Sequence, residues 1–183
     1  MKEAIKVIRT ERHDFLNHLQ VISGLLQLKK EERALEYIGK ITEEIYDLGK
    51  ITRINDSKLA TSILLKNYEA HEKGIKVNLD IQTQMDGLKT SGELLSEKIR
   101  KIFDVFFVVC TSIDAKVGNE INLSIKEDEE EESYLLKMSS SPVNIDENLK
   151  QQLVDLMQEL KEENINIKQF DTDKKVRVYL SFC

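Results

Sequence analysis

Arg12-His13-Asp14-Phe15-Leu16-Asn17-His18-Leu19-Gln20 is the stretch that decides how this chain folds. It sets a histidine, an adjacent carboxylate and, one helical turn on, an amide inside an amphipathic helix. Ile5, Ile8, Phe15, Leu19, Ile22 and Leu26, with Arg12 included, recur at alternating steps of three and four, which is the spacing of a heptad seam. At about 100° per residue, His13 points roughly 130° away from the centre of that seam. Asn17 lies one turn below it on the same face and Arg9 one turn above. A histidine kept for packing would face the seam. This one faces solvent, where an imidazole can act as a nucleophile.

Working outward, the periodicity predicts a first helix from Glu3 to Leu28 and a second from Glu31 to Arg53, the latter carrying Ile38, Ile41, Ile45 and Leu48 on one stripe. Lys29 and Lys30 fall where the chain must turn back, so the two make a helical hairpin. Such a hairpin buries one stripe of each helix and leaves further apolar surface uncovered. Two copies close that surface into a four-helix bundle, so a homodimer is expected. His18, on the border of the apolar stripe, reads as a packing residue.

From Asp56 the pattern changes. Ser57 to Lys73 reads as a helix closed by Gly74. Ile75 to Ile81 alternates strictly and reads as a strand. A helix follows from Glu93 to Ile113, with Phe103, Phe106, Phe107, Val108 and Val109 expected to bury it deeply. Glu120 to Lys126 and Tyr134 to Ser139 read as a hairpin around the acidic run Glu127 to Glu132. Asp146 opens another helix to about Glu163, and Ile165 to Phe170 with Lys175 to Phe182 supply two more strands. Helices beside an antiparallel-leaning sheet give a two-layer α/β sandwich. The boundary between the halves falls near Asn55, giving domains 1–55 and 56–183.

Composition narrows the function. Of 183 residues, 33 are acidic and 27 basic, a net charge of −6, so no basic stripe is on offer for duplex nucleic acid. Cys110 lies in an apolar run and Cys183 is the last residue, so no disulfide framework or zinc pattern is expected and a reducing compartment fits. The longest apolar run, Ile102 to Ile113, is interrupted by Asp104 and falls short of the ~20 residues that span a bilayer. With a charged N-terminus entering a helix directly, no secretory signal or membrane association is expected, and the location is read as cytoplasmic. The acidic run lacks the spaced oxygens and turn glycine of a calcium loop, and reads as a solvated turn. His71, near the end of its helix, reads as a cation facing the dipole. No metal site is expected.

The segment Arg12 to Ile22 resembles the phosphoacceptor helix of the sporulation initiation phosphotransferase B family, and of the related citrate- and dicarboxylate-type sensor histidine kinases. The likeness continues through the hairpin and into Leu64-Leu65-Lys66-Asn67-Tyr68-Glu69-Ala70-His71-Glu72-Lys73-Gly74-Ile75, which is similar to the opening of the ATP-binding domain of those kinases. It implies an α+β chain: a helical hairpin forming a dimeric four-helix bundle, then a degenerate histidine-kinase-ATPase-like α/β sandwich.

The departures from the kinases carry as much weight. If Ile113-Asp114-Ala115 matches the usual ending of their asparagine box, Phe107 and Thr111 occupy the positions of the magnesium-holding asparagines. Gly118 is the last glycine of the chain, so no glycine-rich nucleotide loop follows. An intact histidine beside a degenerate nucleotide box implies a phosphotransferase that uses no ATP and has no cofactor of its own. In that reading His13 accepts a phosphoryl group from an aspartate of one response regulator receiver domain and passes it to another. Asp14 orients the ring or assists a proton transfer, Asn17 is either a solvated amide or helps position the incoming acyl phosphate, Arg9 and Arg12 counter its charge, and magnesium comes from the partner. The alternatives are a fragment of an ATP-dependent sensor kinase and a non-enzymatic dimeric adaptor.

Overall fold

The computed structural model describes residues 2–111, 119–140, 166–171 and 176–182, together with Glu147, Asn148, Gln151, Val154, Asp155 and Gln158. The chain divides into two compact units, Met1–Gly49 and Lys50–Cys183.

The first unit is the helical hairpin. Helix α1 spans Lys2–Gln27 and α2 spans Glu31–Ile51. At the turn, Lys30 N–H donates to Leu25 C=O and Lys29 N–H to Leu26 C=O, both at 2.9 Å. This is a Schellman-type closure, and it puts Lys29 at φ 56°, a left-handed conformation more often given to glycine. Ala34, Tyr37 and Ile41 on α2 turn toward α1, whose Ile22 and Leu25 are half-buried.

The second unit takes the last turn of α2, where Ile51 and Ile54 are buried. Helix α3, Ser57–Glu72, starts at Asp56, whose Oδ1 accepts the Leu59 N–H at 2.8 Å. It ends at Gly74, with φ 68°, whose N–H donates to His71 C=O while Ile75 N–H donates to Ala70 C=O. Strand β1, Lys76–Ile81, leads through a loop to α4, Gly92–Thr111. The carboxylate of Asp56 also packs against Gly92, where a Cβ would run into it. Lys58 and Glu93, paired at 2.7 Å, add a second tie between the starts of α3 and α4.

Strands β2 (Glu120–Asp128), β3 (Ser133–Ser140), β4 (Asn166–Asp171) and β5 (Arg177–Phe182) complete a sheet of order β1-β2-β3-β5-β4. Among the described strands only the β1–β2 pair is parallel, so the sheet is mixed. The β2–β3 turn holds Glu129 to Glu132, all exposed, as a solvated acidic run requires. One face of the sheet is apolar, with Leu79, Leu123, Leu136 and Leu180 buried, and it forms the core with Leu59 and Ile63 of α3 and Leu95, Ile99, Phe103 and Phe106 of α4. At the outer edge of β1 the Lys50 ammonium donates to Leu79 C=O at 3.2 Å. At the other edge, a register shift between Ile167 and Phe170 interrupts the β4 ladder.

The architecture is the one the sequence implied, a helical hairpin followed by an α/β sandwich. One residue departs from expectation. Val108, expected in the core, is 47% exposed, because it lies one turn beyond exposed Asp104 on the outer face of α4. The expected helix Asp146–Glu163 falls largely outside the described residues, although those described within it are helical. Ile113, Asp114, Ala115 and Gly118 also lie outside them.

Candidate functional site

The site is built on the exposed side of α1. The His13 side chain is 75% exposed, with the heptad positions on the far side of the helix. Its Nδ1 is engaged locally: the Asn17 amide nitrogen lies 3.1 Å from it and Asp14 Oδ1 3.5 Å from it. Successive turns of one helix bring these groups together, at i+4 and i+1. In the chain alone Asn17 is thus within hydrogen-bond distance of the imidazole itself. The tautomer decides the direction of that hydrogen bond. The amide nitrogen donates to a bare Nδ1, whereas the amide turned over accepts from Nδ1–H. In either case the local partners take Nδ1, and among the described residues nothing reaches Nε2.

Arg9 and Arg12 are both exposed, one turn and one residue before His13. Among the described residues neither contacts the ring. His18 is separate. Its Nδ1 lies 3.0 Å from the Tyr37 hydroxyl of α2, with ring centroids 5.8 Å apart, so it serves the hairpin packing as expected. Tyr37 is not among the residues the sequence singles out. The signal was present, since Ala34, Tyr37 and Ile41 recur at helical spacing.

In the second unit, the positions that the resemblance gives to metal-holding asparagines do not fit that task. Phe107 is 4% exposed, tilted against Phe103 at a centroid distance of 5.8 Å, with Lys66 and Lys73 ammonium groups 5.3 and 5.8 Å from its ring centroid. Lys66 is also paired with Glu69 at 2.7 Å and with Asp104. Burial pulls its pKa down, and the two carboxylates more than offset that, leaving it raised. Thr111 spends its hydroxyl on the Phe107 and Val108 carbonyls of its own helix. Cations and an aromatic ring therefore stand where amide oxygens would hold magnesium. Cys110, fully buried, has its thiol pushed up to about 11 by desolvation, which makes it a packing residue and no nucleophile. His71 is exposed in the last turn of α3.

Residues 1–54 match the family model of the sensor-kinase SpoOB-type alpha-helical domain. Over 134 residues the chain is 24% identical to sporulation initiation phosphotransferase B of Bacillus subtilis (strain 168), covering 73% of this chain and 67% of that protein. Over 88 residues it is 35% identical to sensor protein CitS of Halalkalibacterium halodurans, covering 46% of this chain and only 16% of that protein. Among solved structures, the nucleotide-free catalytic domain of histidine kinase ThkA superposes with a TM-score of 0.53 at 8% identity, over 70% of this chain and 91% of that one. The resemblance read from the sequence holds: the chain is similar to this phosphotransferase and to a citrate-type sensor kinase, and over 70% of its length it has the fold of a histidine-kinase catalytic domain.

Proposed function

We propose that this chain is a histidine phosphotransferase of a phosphorelay, carrying a phosphoryl group between aspartates of two response regulator receiver domains on His13. The observation that carries this reading is the half-engaged imidazole: Nδ1 is held by Asn17 and Asp14 while Nε2 faces solvent. With its proton on Nδ1, where the Asn17 amide turned over accepts it through Oδ1, the neutral ring has its lone pair on Nε2. Attack on the partner's aspartyl phosphate forms the P–N bond, breaks the P–O bond and releases the aspartate carboxylate. The positive charge left on the ring is carried by Nδ1–H, where Asp14 stabilises it or takes the proton. The second transfer is the reverse, onto another aspartate. Both donor and product are high-energy phosphoryl species, so the exchange requires alignment and charge neutralisation rather than ATP. Arg9 and Arg12 meet the phosphoryl charge, and magnesium arrives in the acidic pocket of the partner.

In this reading residues 1–55 are the phosphoacceptor and dimerisation domain and residues 56–183 a degenerate ATPase-like domain that binds no nucleotide. The homodimer follows from the seam. Ile8, Phe15, Leu19 and Leu26 of α1 are 47% to 66% exposed in the single chain, and Leu35, Ile38 and Ile45 of α2 are 41% to 69% exposed. Surface of that kind is covered when two hairpins pair. No helix among the described residues is long and apolar enough to cross a membrane. A cytoplasmic relay, of the sporulation type named for the B. subtilis relative, is the setting we assign. The test is transfer of label, without ATP, from an aspartyl-phosphorylated receiver domain to wild-type protein and to His13→Gln. Label on the wild type alone is expected. Label retained on His13→Gln would return the adaptor reading.

A further inference from the structure

His13 and His18 are engaged on the same ring nitrogen, but from different helices. His13 finds its Nδ1 partners, Asn17 and Asp14, on α1 itself. His18 finds its partner across the hairpin, where its Nδ1 lies 3.0 Å from the Tyr37 hydroxyl of α2. Among the described residues this is the only hydrogen bond or ion pair that a side chain of α1 makes to α2. The side chains covered around it are apolar: Ile22 and Leu25 on α1, Ala34 and Ile41 on α2. The bond also survives a change of tautomer, because a phenol O–H donates to a bare Nδ1 and its oxygen accepts from Nδ1–H.

Apolar contacts set no angle, so helices joined by them alone turn about their own axes, whereas one polar pair holds a single setting. The closure at Lys29 fixes the hairpin at its tip, but His13 stands about 24 Å from there along the helix. His18 is much nearer, about 7.5 Å along the axis. Its bond to Tyr37 is therefore the tie closest to the acceptor among the described residues. A rotation of α1 by about 20° carries a group about 6 Å from its axis sideways by about 2 Å. In-line transfer tolerates little of that, since a misplacement of about 1 Å costs on the order of 100-fold.

Resting on the phosphotransfer reading, we propose that Tyr37 is a positioning residue for the transfer: through His18 it fixes the rotation of α1, and with it the direction in which Nε2 of His13 meets the aspartyl phosphate. Tyr37 touches no reacting atom and acts through His18 alone. Without its hydroxyl, α1 spends part of its time in turned settings, and the rate falls with the aligned fraction.

Tyr37→Phe removes the hydroxyl and keeps the ring, so the hairpin stays filled. The probes are the receiver domains of the organism that makes this chain, each charged with acetyl phosphate, and rates are measured with whichever labels the wild type fastest. In Tyr37→Phe the labelling rate at saturating receiver should fall about fivefold, equivalent to about 1 kcal/mol, the usual net strength of one hydrogen bond. The receiver concentration giving half that rate should stay within about twofold of the wild-type value. His18→Leu should match Tyr37→Phe, while His18→Gln, whose amide still reaches the hydroxyl, should keep most of the rate. The double variant His18→Leu/Tyr37→Phe should be no slower than either single one, because the pair acts as a unit. A pair that serves stability alone would lower the thermal midpoint and leave the saturated rate unchanged, and that result would overturn the proposal. A raised half-saturating concentration with the saturated rate intact would overturn it as well, by making Tyr37 part of the receiver contact. Wild-type protein that takes label from no receiver would overturn the function itself.

Discussion

The amide nitrogen of Asn17 lies 3.1 Å from Nδ1 of His13, one turn along the same helix. The ring is therefore aimed before any partner arrives, by a side chain whose own position is fixed by helix geometry. Asn17→Ala should lower the transfer rate about tenfold by loosening that aim, with His13 still able to take label. His18→Gln, which disturbs only the Tyr37 contact, should be milder. The phosphorylated species should survive alkali and hydrolyse in acid, as a phosphoimidazole does. Label transfer on the variants, followed by acid and alkali treatment, checks all of this.

The exposed seam makes a second expectation. Leu19→Asp or Ile45→Asp puts a charge where two hairpins would meet, at a cost of about 3 kcal/mol or more per buried unpaired charge. Sedimentation should show wild-type dimer and variant monomer at micromolar concentration. A folded wild-type monomer there contradicts the bundle.

Phe107 and its two lysines bear on nucleotide binding. With an aromatic ring and paired cations at the metal positions, calorimetry with ATP and magnesium should record no binding at micromolar concentrations. A micromolar dissociation constant would restore the kinase reading.

Gly92 should not tolerate a side chain. Gly92→Ala drives a methyl group into the Asp56 carboxylate, the cap of α3, and should cost about 2 kcal/mol in chemical denaturation. Asp56 thus braces two helix starts at once, and its displacement loosens both.

Cys110 allows a check by pH. Burial holds its thiol pKa at about 11, so thiolate is scarce at pH 8 and the sulfur is covered as well. In a Cys183→Ser variant, the remaining thiol should stay unreactive to iodoacetamide at pH 8 until denaturant is added. Fast labelling of the folded protein would contradict the packing described for α4.

Much of this arrangement is legible in the residues because local chemistry writes it. Asp56 caps α3 and Gly74 closes it, so both ends of that helix can be placed from sequence. The hairpin turn was placed correctly, although Lys29 adopts the left-handed geometry without being glycine. Long-range choices were less accessible. Nothing in Lys76–Ile81 states that it will run parallel to Glu120–Asp128, because that pairing depends on how α4 crosses between them. Val108 sits in a run of apolar neighbours, and composition alone puts it in the core; only the phase of the helix turns it outward. At the site, His13, Asp14 and Asn17 were found together since one helix spaces them. The Lys66–Phe107–Lys73 stack joins residues from α3, the turn that follows it and α4, which no local pattern reports.

The bond from Lys50 to the Leu79 carbonyl has a consequence for the protein in a crowded solution. An edge strand offers a row of open backbone groups to any other extended chain, and such templating is how soluble sheets begin to aggregate. Here a charged side chain occupies one of those groups on β1, and the interrupted register of β4 spoils the regular spacing at the opposite edge. Both margins of the sheet are thereby made poor templates for strand addition.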